Sequence, residues 1–596
     1  MEGASPAVAH VVVDLDVPHL DHPFEYSIPE DLRKQVRVGS RVQVRFAGRR
    51  KTGWVTSLAS QQVSGKKLLP ILRVIGPIPL LTKGILKTAE YLAARYATNL
   101  KQILAFALPT RSAHVDKEFQ GKEVAESPQG VPSRAVASLY PRQMRDALVA
   151  AIQGLEGSPR AVVVLPTAAG AVMVRTWLEG AFPDLRVAQS TTEDTAAHRY
   201  RTHLAALCGE VDVVVGTRGS AWTPLPTGGT LILWDSGDTR LREVRSPHLD
   251  ALDVAVARSH VEGVSLLSLG YARSVKDQLL VNSKWAEDTS PPREENLALL
   301  PKLRVFDWLE SERVGAAGAG LLPQAAYDVI RRGLETGPVL VQVPGPGYRT
   351  EFTCPSCEGK RDAPNGACPD SFHAEPVRYR VGSDRLAEEL AKAFPRVSVE
   401  VSSSTAGIKP AVEGGPRIVV ATASAEPQPQ EGYGAVVIAG AHALAYQDFL
   451  DAMVQAERRW MDALALSAPG APAMLIASPP KVLEQSLVRW DPRLLANYEL
   501  EVRGQLGFPP VAWVVVLTAS KQTLEACLSR IASPQLVVMS PPHPVGEEGK
   551  SRAVVRVSTP HAPGLMRALR AFQVELSKDG RPLLVIDVNP GDLVAG

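Results

Sequence analysis

Three of the chain's five cysteines lie close together in its second half, in a pattern suited to binding a metal ion. Cys354 and Cys357 form a Cys-x-x-Cys pair, Cys368 follows, and His373 offers an imidazole. Three thiolates and one imidazole can hold Zn²⁺ tetrahedrally, with no coordination position left open for catalysis. We therefore expect one structural zinc ion at these four residues; the alternative is a set of thiols without a metal.

The N-terminal segment is basic and has the residue pattern of a β-hairpin. Residues 1–113 contain sixteen Lys or Arg against eight Asp or Glu, although the whole chain has a net charge of only +2. From residue 39 to 46 polar and apolar residues alternate, so Arg41 and Arg45 share one face of the predicted strand. Ala47-Gly48 offers a turn to a second strand. We expect contacts to nucleic-acid phosphates from Arg41, Arg45, Arg49, Lys51 and Lys67; the alternative is a solvated hairpin face.

Short apolar runs alternate with amphipathic segments through the middle of the chain, which is typical of parallel α/β sheets. One series includes Ala161–Leu165 and Thr230–Trp234, and a second includes Val339–Val343 and Ala435–Ile438. The sequence thus predicts two α/β lobes in tandem. The expected boundaries are 1–109 for a β-rich domain, 110–135 for a linker, 136–300 and 301–480 for the lobes (with a cysteine-rich insertion at 348–375), and 481–596 for a C-terminal domain.

The composition excludes several classes of protein. Hydrophobic residues make up 45% and charged residues 21% of the 596 residues, which is ordinary for a globular chain. Five cysteines are too few for a disulfide framework. No basic segment followed by an apolar core begins the sequence, and no apolar run approaches the roughly twenty residues of a membrane span. We expect a cytoplasmic protein without membrane contact.

Six segments, in order along nearly the whole chain, resemble the PriA family of primosomal replication-restart proteins. They are Val17–Pro29, Val38–Phe46, Val215–Ala221, Pro247–Arg258, the pair Tyr498–Arg503 and Gly507–Pro510, and Asp587–Pro590. The resemblance implies an α/β fold class: two RecA-like helicase lobes in tandem, preceded by a β-rich DNA-binding domain and followed by a small α+β domain. The linker is too short for a full winged-helix domain, which we expect to be truncated or absent.

The resemblance also implies that the first domain binds the 3′ end of the leading strand at a fork. The implied pocket includes Phe24, Glu25, Tyr26, Ser27 and Gly39. An aromatic ring can stack on an unpaired base, a carboxylate can accept a hydrogen bond from a 3′-hydroxyl, and a glycine permits close backbone approach. For Phe24 and Tyr26 the alternative is packing in the core of a small β domain.

Four segments that would hydrolyse ATP depart from the family pattern at residues that the chemistry needs. Val136–Ala147, where a P-loop is expected, has neither the glycines nor the lysine that approach the phosphates. In the DEEH box Asp235 remains as a possible magnesium ligand, but Ser236 replaces the adjacent acid. Leu269–Arg273 replaces the Gly-Ser-Ala-Thr-Pro motif, and Ser467–Pro472 has none of the arginines that would stabilise charge on the γ-phosphate.

These departures favour a protein without ATP hydrolysis, so we expect no enzyme activity and no ATP or magnesium as cofactors. The resemblance then implies a replication-restart protein that binds branched DNA with a 3′ end at stalled forks. Its implied partners are single-stranded-DNA-binding protein and other primosome proteins. Two alternatives remain: an ATP-dependent 3′-to-5′ DNA helicase with an unconventional nucleotide site, and a zinc-dependent interaction scaffold that no longer binds DNA.

Overall fold

The computed structural model describes residues 7–60, 68–125, 131–155, 160–307, 322–345, 351–353, 360–362, 378–379, 382–440, 442–447, 449–546 and 549–591. Side chains are not described at 351–353, 360–362, 378–379 and 442–443. Within the described ranges, no helix combines the length and the apolar character that crossing a membrane requires.

The N-terminal domain is an antiparallel five-stranded sheet with helices packed beside it. The strands are β1 (Val8–Val13), β2 (Phe24–Ser27), β3 (Arg41–Phe46), β4 (Arg49–Ala59) and β5 (Arg73–Ile75), in the order β2-β1-β4-β3-β5. Helices α1 (Lys83–Arg95), α2 (Leu100–Ala107) and α3 (Ala113–Glu118) follow. Thr82 begins α1, because its hydroxyl accepts a hydrogen bond from the backbone N–H of Ile85 at 3.1 Å.

Lobe one is a parallel seven-stranded sheet in which β7, β9 and β10 are fully buried. Its strands are β6 (Arg134–Ser138), β7 (Ala161–Val164), β8 (Val187–Ser190), β9 (Val213–Gly216), β10 (Thr230–Trp234), β11 (Ser265–Gly270) and β12 (Glu287–Asp288), in the order β12-β6-β11-β10-β7-β9-β8. Its helices are α4 (Met144–Gln153), α5 (Ala168–Ala181), α6 (Ala196–Leu207), α7 (Ala251–Glu262), α8 (Val275–Asn282) and α9 (Arg293–Asn296).

Lobe two is built on a parallel six-stranded sheet. The sheet order is β13-β23-β22-β14-β20-β18, from β13 (Lys302–Phe306), β14 (Val339–Val343), β18 (Ser398–Ser402), β20 (Arg417–Thr422), β22 (Ala435–Ile438) and β23 (Pro472–Ile476). Short strands lie outside it: β15 (Glu351–Thr353), β16 (Lys360–Asp362), β17 (Arg378–Tyr379), β19 (Ala411–Val412) and β21 (Gln428–Pro429). The helices are α10 (Gln324–Leu334), α11 (Ser383–Ala393), α12 (His442–Ala445), α13 (Ala452–Leu464), α14 (Lys481–Arg489) and α15 (Arg493–Leu506).

The C-terminal domain is a small antiparallel α+β unit. Its strands are β24 (Ala512–Ala519), β25 (Val537–Pro544), β26 (Ser551–Ser558) and β27 (Val585–Val588), in the order β25-β26-β24-β27, with helices α16 (Lys521–Ile531) and α17 (Ala562–Lys578). Arg570 on α17 pairs with Asp21 of the N-terminal domain at 2.6 Å, so the two ends of the chain are in contact.

The lobe-one sheet is the central layer of the molecule. Val162 and Leu231 face one hydrophobic core, which is shared with the N-terminal and C-terminal domains. Val163 and Ile232, their neighbours along the strands, face a second core shared with lobe two. The predicted fold class, two RecA-like lobes between a β-rich domain and a small α+β domain, is confirmed. The segment predicted as a linker contains α3 and the first residues of β6.

Candidate functional sites in the interlobe cleft and on the N-terminal sheet

The segment between β6 and α4 stands where a P-loop would follow its strand, and its polar groups have partners within the protein. It comprises five residues, Leu139–Gln143, without glycine or lysine. The N–H of Leu139 donates to the carbonyl of Gly270 at 2.8 Å, and the N–H of Tyr140 donates to the Gln143 side chain at 2.9 Å. From the C-terminal end of α14, the Trp490 indole N–H donates to the Leu139 carbonyl at 2.9 Å. These amides do not form a phosphate cradle.

Asp235, the acid retained from the DEEH box, lies at the end of β10 and pairs with an arginine from lobe two. The Arg458 guanidinium on α13 is 2.7 Å from the Asp235 carboxylate, 3.0 Å from that of Asp238 and 3.2 Å from that of Asp462. Only 3% of the Arg458 side chain is exposed. Gln455, one turn before Arg458, donates to the Gly237 carbonyl at 2.7 Å. A buried ionic network therefore ties α13 to the end of β10.

Burial and the arginines act in opposite directions on the acids of this network. Burial raises the pKa of Asp235, although Arg458 opposes the shift. Partial burial, together with the charge of the neighbouring Asp235, raises the pKa of Asp462 well above its usual value. For Asp238 burial is outweighed by the hydrogen bond from Arg240 and the charge of Arg458, and the pKa is lowered. A divalent cation at Asp235 would have to displace the guanidinium that already neutralises this carboxylate.

Little space remains at the point where a nucleotide would bind between the lobes. The cavity at Asp235 has a volume of about 10 Å³ and is lined by Ser236, Arg273, Asp277 and Arg458, among others. Arg273, within the altered Gly-Ser-Ala-Thr-Pro motif, is buried and donates to Ser138 at the end of β6 and to Asp288. A volume of roughly 10–15 Å³ accommodates one water molecule. The residues present do not fit ATP or its magnesium ion.

Apolar packing closes the rest of the boundary between the lobes. Trp234 at the end of β10 contacts Tyr271 with a ring-centroid distance of 5.2 Å, and Tyr271 contacts Trp490 at 6.4 Å. These rings belong to one continuous core that also contains Val436 and Trp460 of lobe two. Domains joined by an extensive hydrophobic interface do not move freely against each other. In this structure the two lobes therefore pack against each other through a shared apolar core.

The residues implied for a 3′-end pocket do not all lie on one face of the N-terminal sheet. Tyr26 is buried in the core, and its hydroxyl donates to the Arg45 carbonyl. Its position matches core packing, the alternative to base stacking in the sequence analysis. Phe24 packs against the same core, with its ring 5.0 Å from that of Phe46. Glu25 and Ser27 alternate with them and lie on the opposite face, where the Glu25 carboxylate is 3.7 Å from His10.

Gly39 is required by the packing of the domain itself. Its backbone has φ of +86°, and a Cβ atom there would lie 1.7 Å from the carbonyl oxygen of Leu81. The N–H of Gly39 also donates to the Val55 carbonyl at 2.8 Å. Close approach of the protein's own backbone therefore explains this glycine without a ligand.

The predicted basic residues are divided between the two faces of the β3–β4 hairpin. Arg41 and Arg45 share the face opposite the core, as the alternation predicted. Arg41 is half-buried, with its guanidinium 5.4 Å from the Trp54 ring centroid, whereas Arg45 is exposed. Arg49 and Lys51 pair with Phe46 and Val44, so they lie on the other side of the sheet. Lys67 lies outside the described residues.

Two arginines that the sequence analysis did not single out complete the outer face. Arg50 lies directly opposite Arg45, and Arg73 on β5 lies opposite Gln43. The first could have been found from the turn: Ala47 and Gly48 both have positive φ, a two-residue turn that fixes the pairing of Arg45 with Arg50. Arg73 could not be placed from the sequence, because β5 pairs with β3 and not with β4, the strand that precedes it in the chain.

The four predicted zinc ligands, Cys354, Cys357, Cys368 and His373, lie outside the described residues. Among the residues that are described, no group of three or more His, Cys, Asp or Glu side chains is arranged to hold a metal ion.

The segment Val215–Ala221 contributes Thr217, Arg218 and Ser220 to a cavity of about 370 Å³ between lobe one and the end of α2. Arg218 there pairs with Glu243 at 2.9 Å.

Comparison with known proteins gives consistent results for the N-terminal domain and for the whole chain. Residues 10–109 match the family model described as the 3′ DNA-binding domain of PriA. A probable replication restart protein PriA of Mycobacterium tuberculosis is 33% identical over 576 residues, covering 87% of this chain and 88% of the relative. That of Mycobacterium leprae is 30% identical over 579 residues, covering 87% and 89%. A structure of RecG bound to a three-way DNA junction is similar with a TM-score of 0.34 and 12% identity, over 70% of this chain and 52% of that one.

Proposed function

The chain belongs to the PriA family of replication restart proteins, and from this premise we propose that it binds branched DNA at arrested forks without unwinding it. Its N-terminal domain would engage an arm that carries a 3′ end. Its remaining domains would recruit replication proteins, among them single-stranded-DNA-binding protein and other primosome proteins. The two lobes serve as a scaffold that fixes the N-terminal and C-terminal domains relative to each other.

The observation that carries the proposal is the position of Arg458. In a nucleotide-driven motor the acid at the end of this strand faces a magnesium ion and a phosphate chain. Here its carboxylate is occupied by a buried guanidinium 2.7 Å away, and the cavity beside it has a volume of about 10 Å³. ATP binding would require separating Arg458 from Asp235, Asp238 and Asp462 and opening the apolar interface around Trp234 and Tyr271.

The zinc ion belongs to the same proposal as a structural element of lobe two. Cys354, Cys357, Cys368 and His373 supply the chemistry of a closed tetrahedral site. When bound, such an ion would fold the segment that carries its ligands and would take no part in a reaction.

The decisive experiment measures fork binding and ATP hydrolysis on the same preparation of the full chain. The DNA probe is a synthetic fork with a free 3′-hydroxyl on its leading arm; a fork with a 3′-phosphate and a linear duplex serve as controls. We expect binding to the fork, weaker binding to the 3′-phosphate, and no ATP turnover with any DNA. Fork-stimulated turnover that is lost in Asp235→Asn would establish the helicase instead. If the chain does not bind the fork but still binds replication proteins, the alternative of an interaction scaffold that no longer binds DNA would be established.

A further inference from the structure

Three exposed arginines form a row across the outer face of the N-terminal sheet. Arg50 on β4 is directly opposite Arg45 on β3, and Arg73 on β5 is opposite Gln43, two residues from Arg45. Directly opposed residues in antiparallel strands project to the same side. Neighbouring strands are roughly 4.8 Å apart, and the two-residue offset of Arg73 adds about 7 Å along the strands, so the three Cα atoms lie within about 12 Å of one another. We call Arg45, Arg50 and Arg73 the arginine row.

The arginine row is not neutralised by the protein. In the described part of the chain, none of the three side chains takes part in an ion pair of 4.0 Å or less. Asp14 is held at this face by Thr52 at 3.4 Å, but its other partner is Lys101, also at 3.4 Å. Arg41, further along β3, has its guanidinium over Trp54.

The pairing of Arg45 with Arg50 disfavours the fold by itself. Like charges directly opposite each other on antiparallel strands are destabilising, whereas opposite charges in the same positions are stabilising. The tight turn at Ala47-Gly48 fixes this pairing, so the hairpin cannot slip to relieve the repulsion. An anion placed between the two guanidinium groups would convert the repulsion into two charge-assisted hydrogen-bonded contacts.

The side chains beside the arginine row are polar, as expected for a surface that contacts a nucleic-acid backbone. Gln43 and Thr52 lie opposite each other within the row and offer polar groups between the arginines. Arginine binds phosphate oxygens in a bidentate manner. Phosphate contacts position a protein on DNA without reading its sequence.

We infer that the arginine row binds the sugar-phosphate backbone of the DNA arm adjoining the bound 3′ end, contacting one phosphate per arginine. This inference rests on the proposed function, because it assigns the DNA arm to a particular surface of the N-terminal domain. The row on β4, β3 and β5 lies on the same side of the sheet as Glu25 and Ser27 of β2, and Val12 and Trp54, which pack into the core shared with lobe one, lie between them. In this inference the arginine row binds the DNA arm, and the 3′-hydroxyl is bound elsewhere on the domain.

The test compares salt dependence of fork binding in the full-length wild type and in Arg45→Ala/Arg50→Ala/Arg73→Ala. Each neutralised duplex phosphate contributes a slope of about 0.9 in log affinity against log salt, so three lost contacts should lower the slope by about 2.7. Between 50 and 200 mM salt, wild-type affinity should therefore fall about 40-fold more than that of the variant. The matched control is Arg385→Ala/Lys392→Ala/Arg396→Ala on lobe two, which removes the same charge from another exposed surface.

Two further variants separate charge from folding. The triple Arg→Lys variant keeps the three charges and should keep the wild-type slope. Arg50→Glu should raise the melting temperature, because the residue opposite Arg45 becomes oppositely charged, and should still weaken fork binding. Equal slopes for the triple alanine variant and the wild type would overturn the inference while leaving fork binding intact. If the wild type itself does not bind the fork, the proposed function fails and the inference fails with it.

Discussion

Replacing Arg458 with alanine tests whether the interlobe network holds the lobes together. The change leaves Asp238 with Arg240 as its partner, and Asp462 remains one-third exposed to solvent. Asp235, whose side chain is 9% exposed, loses its cation altogether. Removing one partner of a buried ion pair costs about 3–5 kcal/mol. We expect a loss of that size in the free energy of opening the interlobe boundary.

Hydrogen exchange followed by mass spectrometry reads this opening directly, because each 1.4 kcal/mol changes an equilibrium about tenfold. Peptides covering β10 and α13 should exchange roughly 100- to 4,000-fold faster in Arg458→Ala. The matched control is Arg331→Ala, which breaks an exposed pair with Asp328. Such surface pairs contribute about 0–1 kcal/mol, so exchange at β10 should remain unchanged.

The effect of Arg458→Ala should also depend on pH. Burial already raises the pKa of Asp235 above its ordinary value of 3.8, and loss of Arg458 should raise it further. Because the folded state of the variant then binds a proton more readily than the unfolded state, its stability increases as pH falls through the folded pKa toward 3.8. Relative to the wild type, the variant should therefore exchange more slowly as the pH is lowered toward 3.8. Arg458→Met/Asp235→Asn should be less damaging than Arg458→Met alone. Exchange within tenfold of the wild type in every variant would refute this account of the interface.

Three further results are expected. Wild-type protein should contain about one zinc ion per chain by elemental analysis, and Cys354→Ser/Cys357→Ser should contain none, because two of four ligands are lost; a zinc-free wild type would contradict the ligand set. Gly39→Ala should destabilise the chain by at least about 1 kcal/mol in thermal unfolding, since its Cβ would meet the Leu81 carbonyl, whereas Gly48→Ala, with nothing within 4 Å, should cost less. Burial raises the pKa of Glu457 to about 8, so the folded state holds a proton that the unfolded state has lost above about 4.5. The unfolding free energy should accordingly fall as pH rises from about 4.5 to about 8, and Glu457→Gln should flatten that dependence; an unchanged slope would show that Glu457 is ionised in the fold.

Local patterns in the sequence predicted the strands well and the ionic contacts poorly. Alternation in β3 placed Val42 and Val44 in the core and Arg41 and Arg45 on the outer face, as observed. The apolar runs predicted at 161–165 and 230–234 correspond to β7 and β10, which lie side by side in the lobe-one sheet. In both cases the signal is a period of two or a short buried run, which depends only on neighbouring residues.

The partner of Asp235 could not be predicted in the same way. Arg458 is 223 residues away along the chain and lies on an amphipathic helix, where a charged residue ordinarily faces solvent. Its burial depends on how lobe two packs against lobe one, which no local pattern encodes. The side of the sheet on which Arg49 and Lys51 lie depends on how β3 pairs with β4, which the number of charges along the hairpin does not indicate.

The retention of Asp235 beside so many altered motif residues has a structural explanation that does not involve ATP. The Asp235 carboxylate at the end of β10 is the nearest of three acids that neutralise Arg458. Loss of Arg458 alone leaves the buried Asp235 without an ion-pair partner, at a cost of about 3–5 kcal/mol, whereas loss of Asp235 alone leaves Arg458 with Asp238 and Asp462. Ser236 takes no part in the interlobe contact, because its hydroxyl donates to Asp277 within lobe one. The interlobe contact therefore gives an aspartate at this position a structural role that does not involve a nucleotide.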